Sequence, residues 1–195
     1  MSSFFRAAII VVILVLGSCS SRNYSAPSNL DDACSIVRQY PHYLRAMQMS
    51  ERKWGVPVYV QMATIYQESK FIGNARTSKQ YTLGFIPKGR VSSAYGYAQA
   101  LDGTWDDYRD KTGNWAGKRN NIYDATDFIG WYMSETRRRA GVSLTNAEHQ
   151  YLAYHEGQGG YMRGSHNAKS WLLRVASEVG NRSAMYKRQL QRCTL

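Results

Sequence analysis

Apolar and polar positions alternate with a helical period along most of the chain, and glycine or proline interrupts the pattern at intervals. Pro41 and Pro57 stand where helices begin, and Gly113, Gly141 and Gly180 stand where helices are expected to stop. The predicted helices cover residues 31–50 (interrupted at Pro41), 58–69, 104–111, 124–139, 147–155, 168–179 and 182–192. The only segment suited to strands is 81–91, which could hold a short hairpin. The pattern predicts an all-α or mainly α single domain.

The N-terminal segment has the pattern of an export signal. Its apolar block, residues 7–16, is too short to cross a bilayer, which takes about 20 apolar residues. Leu16-Gly17-Ser18-Cys19 resembles a bacterial lipobox. We therefore expect a signal peptide over residues 1–18 and a lipid on Cys19. An ordinary signal peptide with a chance cysteine at the cleavage site is the alternative.

A polar segment rich in Ser, Pro and Asn follows and predicts a flexible tether over residues 19–29, ahead of a domain over 30–195. This places the domain on the periplasmic side of a bacterial envelope. Serine follows Cys19, where aspartate would mark retention in the inner membrane. The outer membrane is therefore favoured over the inner one.

Three short motifs carry the candidate chemistry. The first, Glu68-Ser69, ends the apolar segment 58–66; the second is Ala94-Tyr-Gly-Tyr-Ala-Gln99; the third is Ala153-Tyr-His-Glu-Gly-Gln-Gly159. In this order along one small domain they resemble the motifs of lytic transglycosylases of the soluble, lysozyme-like (SLT) family. The resemblance implies an enzyme that cleaves the MurNAc-GlcNAc β-1,4 bonds of peptidoglycan glycan strands without water.

Glu68 is the candidate catalytic residue. A carboxylic acid can protonate a glycosidic oxygen near neutral pH only if apolar surroundings raise its pKa, and Ile65, Phe71 and Ile72 should supply them. By family resemblance, Glu68 acts first as the acid and then as the base. The substrate's own C6 hydroxyl attacks C1, which leaves a 1,6-anhydromuramic end. Taken without the motifs, a solvated glutamate at a helix end would be the better interpretation.

The other candidate site residues are substrate-binding ones, assigned by matching the family's motifs. They are Ser69, Gly96, Tyr97, Gln99, Tyr154, His155 and Gly157. Ser69 either contacts substrate or bonds a carbonyl of its own helix. Tyr97 and Ala98 replace the family's Leu and Met, and His155 replaces its Asn, which could add a pH dependence.

The spacing between the first two motifs is longer than expected for the family. The extra residues fall in 73–90, a basic segment containing glycines. We expect it to lie over one side of the cleft; an idle surface insertion is equally compatible with the sequence. Tyr151 and Trp131, at helical spacing, are assigned to the core.

The net charge and the cysteines limit the kinds of partner and cross-link that the chain could have. A formal charge of +11 and a pI of about 9.7 first suggest nucleic acid, but export argues against it, and a basic surface suits the carboxylates of peptidoglycan stem peptides. No metal-binding spacing of His or Cys occurs, so we expect no metal or cofactor. Cys34 and Cys193 could form a disulfide in an oxidising compartment or remain unrelated buried thiols.

Two rival functions stay open on the sequence. A hydrolytic muramidase would use Glu68 with a second carboxylate, for which Glu156 is the best candidate. A peptidoglycan-binding scaffold lipoprotein would keep the cleft without the chemistry. We expect a monomer, and the sequence leaves membership of a cell-wall or secretion complex open.

Overall fold

The structure is a computed structural model that describes residues 24–83 and 86–193. The predicted signal peptide, residues 1–18, and Cys19 therefore lie outside the described residues. Within the described ranges, no helix is both long and apolar enough to cross a membrane.

Seven α-helices and one antiparallel hairpin form the described chain, which confirms a mainly α, single-domain fold with one small hairpin. The elements are α1 (Ala33–Gln39), α2 (Pro41–Trp54), α3 (Val58–Ser69), β1 (Lys79–Thr82), β2 (Ile86–Arg90), α4 (Asp102–Thr112), α5 (Ile122–Ala140), α6 (Ala147–Met162) and α7 (Ser170–Leu190), with a 3-10 turn, Ser165–Ala168, before α7.

Most helix ends lie where the sequence predicts them. Pro41 is the first residue of α2, and Gly113 and Gly141 end α4 and α5 in left-handed conformations. Helix α6 begins at Ala147, as predicted, although Thr145 and Glu148, which have the spacing of a capping box, do not cap it. Asn146 caps this helix instead, because its side chain accepts a hydrogen bond from the backbone N–H of His149.

The prediction that Gly180 separates two helices is wrong. Helix α7 runs through it without interruption, at a cost of about 1 kcal/mol relative to alanine. Gly180 packs against Glu148 of α6, whose Cβ would lie 3.3 Å from a Cβ added at position 180. The glycine therefore allows two helices to approach closely.

Helix α3 occupies the centre of the core. Val60, Met62, Ala63 and Ile65 are fully buried. The helix contacts α2, α5, α6 and α7, while α2 packs on α5 and α7 packs on α6. Because α3 is enclosed on most sides, its penultimate residue Glu68 is carried into the interior.

Both ends of the described chain are fastened to the domain. Cys34 and Cys193 form a disulfide, with Cα atoms 5.6 Å apart. The described part of the predicted tether, residues 24–29, packs on the domain rather than hanging free. The Tyr24 hydroxyl accepts a hydrogen bond from Asn120 (2.9 Å), and the Ser28 N–H donates to Gln39 (2.9 Å).

The hairpin is different in character from the helices. Strands β1 and β2 pair with each other, with an irregularity between Gln80 and Tyr81, and every described residue of both strands is exposed. Neither strand packs against any of the helices described above. The hairpin predicted over residues 81–91 is confirmed, shifted to 79–90.

Candidate active site

The turn after Glu68 fixes the position of its side chain. Lys70 and Phe71 both adopt left-handed backbone conformations (φ 51° and 62°), which are strained for residues with a side chain. Phe71 is fully buried, and its ring stacks on that of Tyr43 at 5.8 Å. We attribute the tolerance of this strained turn to the burial of Phe71. The turn ends α3 one residue after Glu68.

The Glu68 carboxyl group lies deep in the domain while the residue keeps partial contact with solvent. Burial raises its pKa from 4.5 to about 7, because the charged form loses hydration. A hydrogen bond from Tyr151 and the charge of Lys70 act in the opposite direction. At neutral pH, a substantial fraction of Glu68 is therefore protonated and able to donate a proton.

Two tyrosines of α6 stand beside Glu68. The Tyr151 hydroxyl bonds the Glu68 carboxylate, and the Tyr154 hydroxyl donates to the Ala98 carbonyl at 2.6 Å. Burial and the nearby charge of Glu68 raise the pKa of both tyrosines. The sequence predicts a site role for Tyr154 and a core position for Tyr151, and Tyr151 is buried as predicted while it also bonds Glu68. Their three-residue spacing, which places both on one helix face, was the available signal.

The second motif forms a tight loop held by its glycine and its glutamine. Gly96 has a φ of 81°, and a Cβ at this position would overlap the carbonyl oxygen of Arg119. The Gln99 amide donates to the carbonyls of Ala75 (3.0 Å) and Gly96 (2.8 Å). Gln99 therefore joins the second motif to the base of the hairpin segment.

Two of the residues assigned to substrate binding lie in the core. Tyr97 is 4 % exposed, and its hydroxyl lies 3.0 Å from that of Tyr43. Ser69 is also buried, and its hydroxyl donates to the Ile65 carbonyl at 3.2 Å. This is the alternative in which Ser69 bonds a carbonyl of its own helix. Neither side chain reaches the cavity described below.

The third motif interrupts α6. Gly157 has a φ of 74° and a ψ of 153°, which lies outside the helical region and turns the chain before the last residues of the helix. His155 is exposed, with its Nδ1 3.2 Å from Glu156 and its ring 5.1 Å from that of Trp171.

Glu156 is held in its charged form. Lys169 donates to both of its carboxylate oxygens, the shorter contact being 2.7 Å, and Ser165 also donates to it. These bonds, chiefly that of Lys169, lower the pKa of Glu156 to about 2. The group is therefore a carboxylate near neutral pH and is occupied by its partners.

A cavity of 260 Å³ lies between the second and third motifs. Gln99, Tyr154, His155, Glu156 and Gly157 all line it. Glu68 is not a lining residue, but its charge acts on Tyr154, which is. A larger groove of 770 Å³ shares Thr104 and Tyr132 with this cavity. Its remaining lining residues include Trp54, Trp131, Lys111, Arg138 and Arg139. The walls of this groove carry aromatic and cationic side chains, together with the carboxylates Asp107 and Glu135. In the part of the chain that the structure describes, no group of His, Cys, Asp or Glu could hold a metal ion.

A comparison with known protein families shows to which family this chain belongs. A family model described as the transglycosylase SLT domain matches residues 7–193. The chain belongs to the transglycosylase SLT domain family. This confirms the resemblance found in the sequence, and the SLT domain carries lytic transglycosylase-type activity on peptidoglycan glycan strands. A search among curated proteins gives no significant match for this SLT domain.

Proposed function

We propose that this SLT domain cleaves the MurNAc-GlcNAc β-1,4 bond with Glu68 as the only catalytic carboxylate and releases 1,6-anhydromuramic ends. The observation that carries the proposal is the position of Glu68 at the end of the buried helix α3, where burial raises its pKa to about 7. An acid with this pKa is protonated often enough at neutral pH to donate to the glycosidic oxygen.

The reaction then needs a base but no water. Once Glu68 has given its proton to the leaving sugar, its carboxylate can accept the proton of the substrate's C6 hydroxyl as that oxygen attacks C1. Tyr151 supports this second role, because its hydroxyl donates to the charged form of Glu68. Attack within one sugar residue supplies a high effective concentration of nucleophile, so a second carboxylate is unnecessary.

Gln99, Tyr154, His155 and Gly157 are proposed to contact the glycan, since all four line the cavity and the charge of Glu68 acts on Tyr154. Gly96 acts on the site indirectly, by holding the loop that carries Gln99. Ser69 and Tyr97 are proposed to support the site from the core.

The state of Glu156 argues against a two-carboxylate muramidase. A second catalytic carboxylate must be free to act on water or on C1. Glu156 instead accepts hydrogen bonds from Lys169 and Ser165. The scaffold hypothesis is disfavoured because a protein that only binds glycan has no use for a buried acid whose pKa is near 7.

We further propose that the domain is lipid-anchored through Cys19 on the periplasmic side of the envelope, at the outer membrane rather than the inner one. The lipobox-like Leu16-Gly17-Ser18-Cys19 and the serine after it support this. Mass spectrometry of the protein expressed in a bacterial host should detect a lipid-modified N-terminal cysteine, lost in Cys19→Ser.

Mass spectrometry of the fragments released from purified sacculi tests the proposed reaction. We expect muropeptides ending in 1,6-anhydromuramic acid from the wild-type protein and none from Glu68→Gln. Reducing ends would show that water is the acceptor. Retained sacculus binding with no fragments from the wild type would favour the scaffold.

A further inference from the structure

The hairpin exposes an apolar tip on a basic stem. Tyr81, Leu83 and Ile86 beside the turn are 51 %, 77 % and 47 % exposed. Lys79 and Lys88 lie on the strands behind them and are also exposed. No acidic residue occurs in the sequence between Glu68 and Asp102. The hairpin therefore presents apolar and positively charged groups without any negative charge.

This hairpin has no packing partner among the described elements. Strands β1 and β2 contact only each other, whereas an isolated two-stranded hairpin is marginally stable in water. It also lines none of the cavities described above. The expectation that this segment covers one side of the cleft thus receives no support from its position.

The start of the described chain lies beside the segment that leads into the hairpin. The Tyr24 ring packs against Gly73 and lies so close that a Cβ on this glycine would be 2.6 Å from it. The five residues from Cys19 to Tyr24 can span at most about 18 Å. The strands of the hairpin, at about 3.3 Å per residue, extend about 15 Å. A lipid on Cys19 would therefore hold the base of the hairpin within reach of the membrane.

From these observations we propose that the exposed hairpin is a membrane-contact surface that inserts Tyr81, Leu83 and Ile86 among the headgroups of an anionic lipid layer. Lys79 and Lys88 bind the lipid phosphates. Basic residues behind apolar and aromatic ones are the composition that suits an anionic interface. The geometric part of this inference rests on the proposed lipid anchor at Cys19. The charge and exposure of the hairpin do not depend on the anchor or on the catalytic reaction.

Membrane contact here would also orient the active site. Ala75, in the segment that enters the hairpin, accepts hydrogen bonds from both Gly96 and Gln99 of the second motif. An immersed hairpin would therefore keep the second motif, and with it the cavity, near the lipid surface.

Vesicle sedimentation tests the proposal without any lipid anchor. The chain from residue 19 with Cys19→Ser is mixed with vesicles of equal parts phosphatidylglycerol and phosphatidylethanolamine, or of phosphatidylcholine alone. We expect binding to the anionic vesicles that weakens with salt. Leu83→Ser with Ile86→Ser should weaken it at least tenfold, as should Lys79→Glu with Lys88→Glu.

Matched controls separate the hairpin from general surface effects. Met49→Ser with Met162→Ser removes two similarly exposed apolar side chains on α2 and α6, and Lys111→Glu with Lys187→Glu makes the same charge change on α4 and α7. Both control pairs should bind vesicles as the parent does. Glu68→Gln should also bind normally, so a failure of the catalytic proposal leaves this test intact.

The inference would be overturned by no binding to anionic vesicles, by equal binding to phosphatidylcholine vesicles, or by equal losses in the control pairs and the hairpin pairs. Binding of the hairpin variants to sacculi is measured in parallel. A loss there, with vesicle binding unchanged, would assign the hairpin to the glycan and overturn membrane contact.

Discussion

Glu68 and Glu156 are carboxylates on two helices in contact, α3 and α6, and their surroundings shift their pKa values in opposite directions. Burial beside neutral tyrosines raises that of Glu68 to about 7, and bonds from Lys169 and Ser165 lower that of Glu156 to about 2. The pKa values differ because the Glu68 carboxyl loses hydration deep in the domain, whereas a lysine and a serine bond the Glu156 carboxylate directly.

Removing the proposed acid should have the largest effect. Glu68→Gln keeps the shape of the side chain but cannot transfer a proton, so fragment release from sacculi should fall by roughly 10²- to 10⁴-fold, the usual contribution of general acid–base catalysis. Circular dichroism should show an unchanged helical fold. A variant with near-normal release would remove Glu68 from the mechanism.

The same two residues should give different dependences of stability on pH. The folded pKa of Glu68 is above its ordinary value of 4.5, so its ionisation opposes folding, and this penalty grows as pH rises toward 7. Relative to wild type, Glu68→Gln should therefore gain roughly 2 kcal/mol in free energy of unfolding between pH 5 and pH 8. Urea denaturation at both pH values measures this gain.

Glu156→Gln is the matched control for that experiment. A depressed pKa stabilises the fold above the ordinary value and loses this effect as pH falls toward 2. The variant should therefore be less stable than wild type by the same amount at pH 5 and pH 8. A pH-independent difference for Glu68→Gln would contradict the burial of an ionisable acid.

Tyr151→Phe tests whether this buried tyrosine sets the pKa of Glu68. Its hydroxyl lowers the pKa of Glu68, so its removal should move the alkaline limb of the kcat/KM profile to higher pH, by about one unit for a hydrogen bond to a charged group. Activity needs the protonated acid and falls above that limb. Tyr154→Phe, whose hydroxyl bonds Ala98 instead, should leave the limb in place.

The smallest effect is expected for the activity of Glu156→Gln. Because Glu156 is occupied by Lys169 and Ser165, fragment release at pH 7 should stay within about threefold of wild type, far from the loss expected for a catalytic group. A loss as deep as that of Glu68→Gln would restore the two-carboxylate muramidase.

The features that the sequence predicted well depend on local signals. Pro41 and Gly141 define helix ends through backbone preferences that act within a few residues. The position of Glu68 at the end of α3 follows from the same kind of pattern. The role of Gly180 could not be predicted, because a glycine that ends a helix and one that allows close packing look alike in sequence.

The features that the sequence missed depend on tertiary contacts. Tyr151 bonds Glu68 across two helices, and Lys169 reaches Glu156 from the segment before α7. The position of Tyr97 also required the fold, since its hydroxyl meets Tyr43 of α2 in the core. Residues of the second and third motifs line the cavity, but motif matching could not tell which of their side chains face it.

The proposal that Glu68 is the proton donor is tested most directly by NMR titration of Glu68 and Glu156 in protein with ¹³C-labelled side-chain carboxyl groups. Glu68→Gln and Glu156→Gln are used for assignment. We expect one carboxyl signal that titrates near pH 7 and disappears in Glu68→Gln, and another that titrates near pH 2 and disappears in Glu156→Gln. Ordinary titration of Glu68 near pH 4.5 would contradict its role as the proton donor.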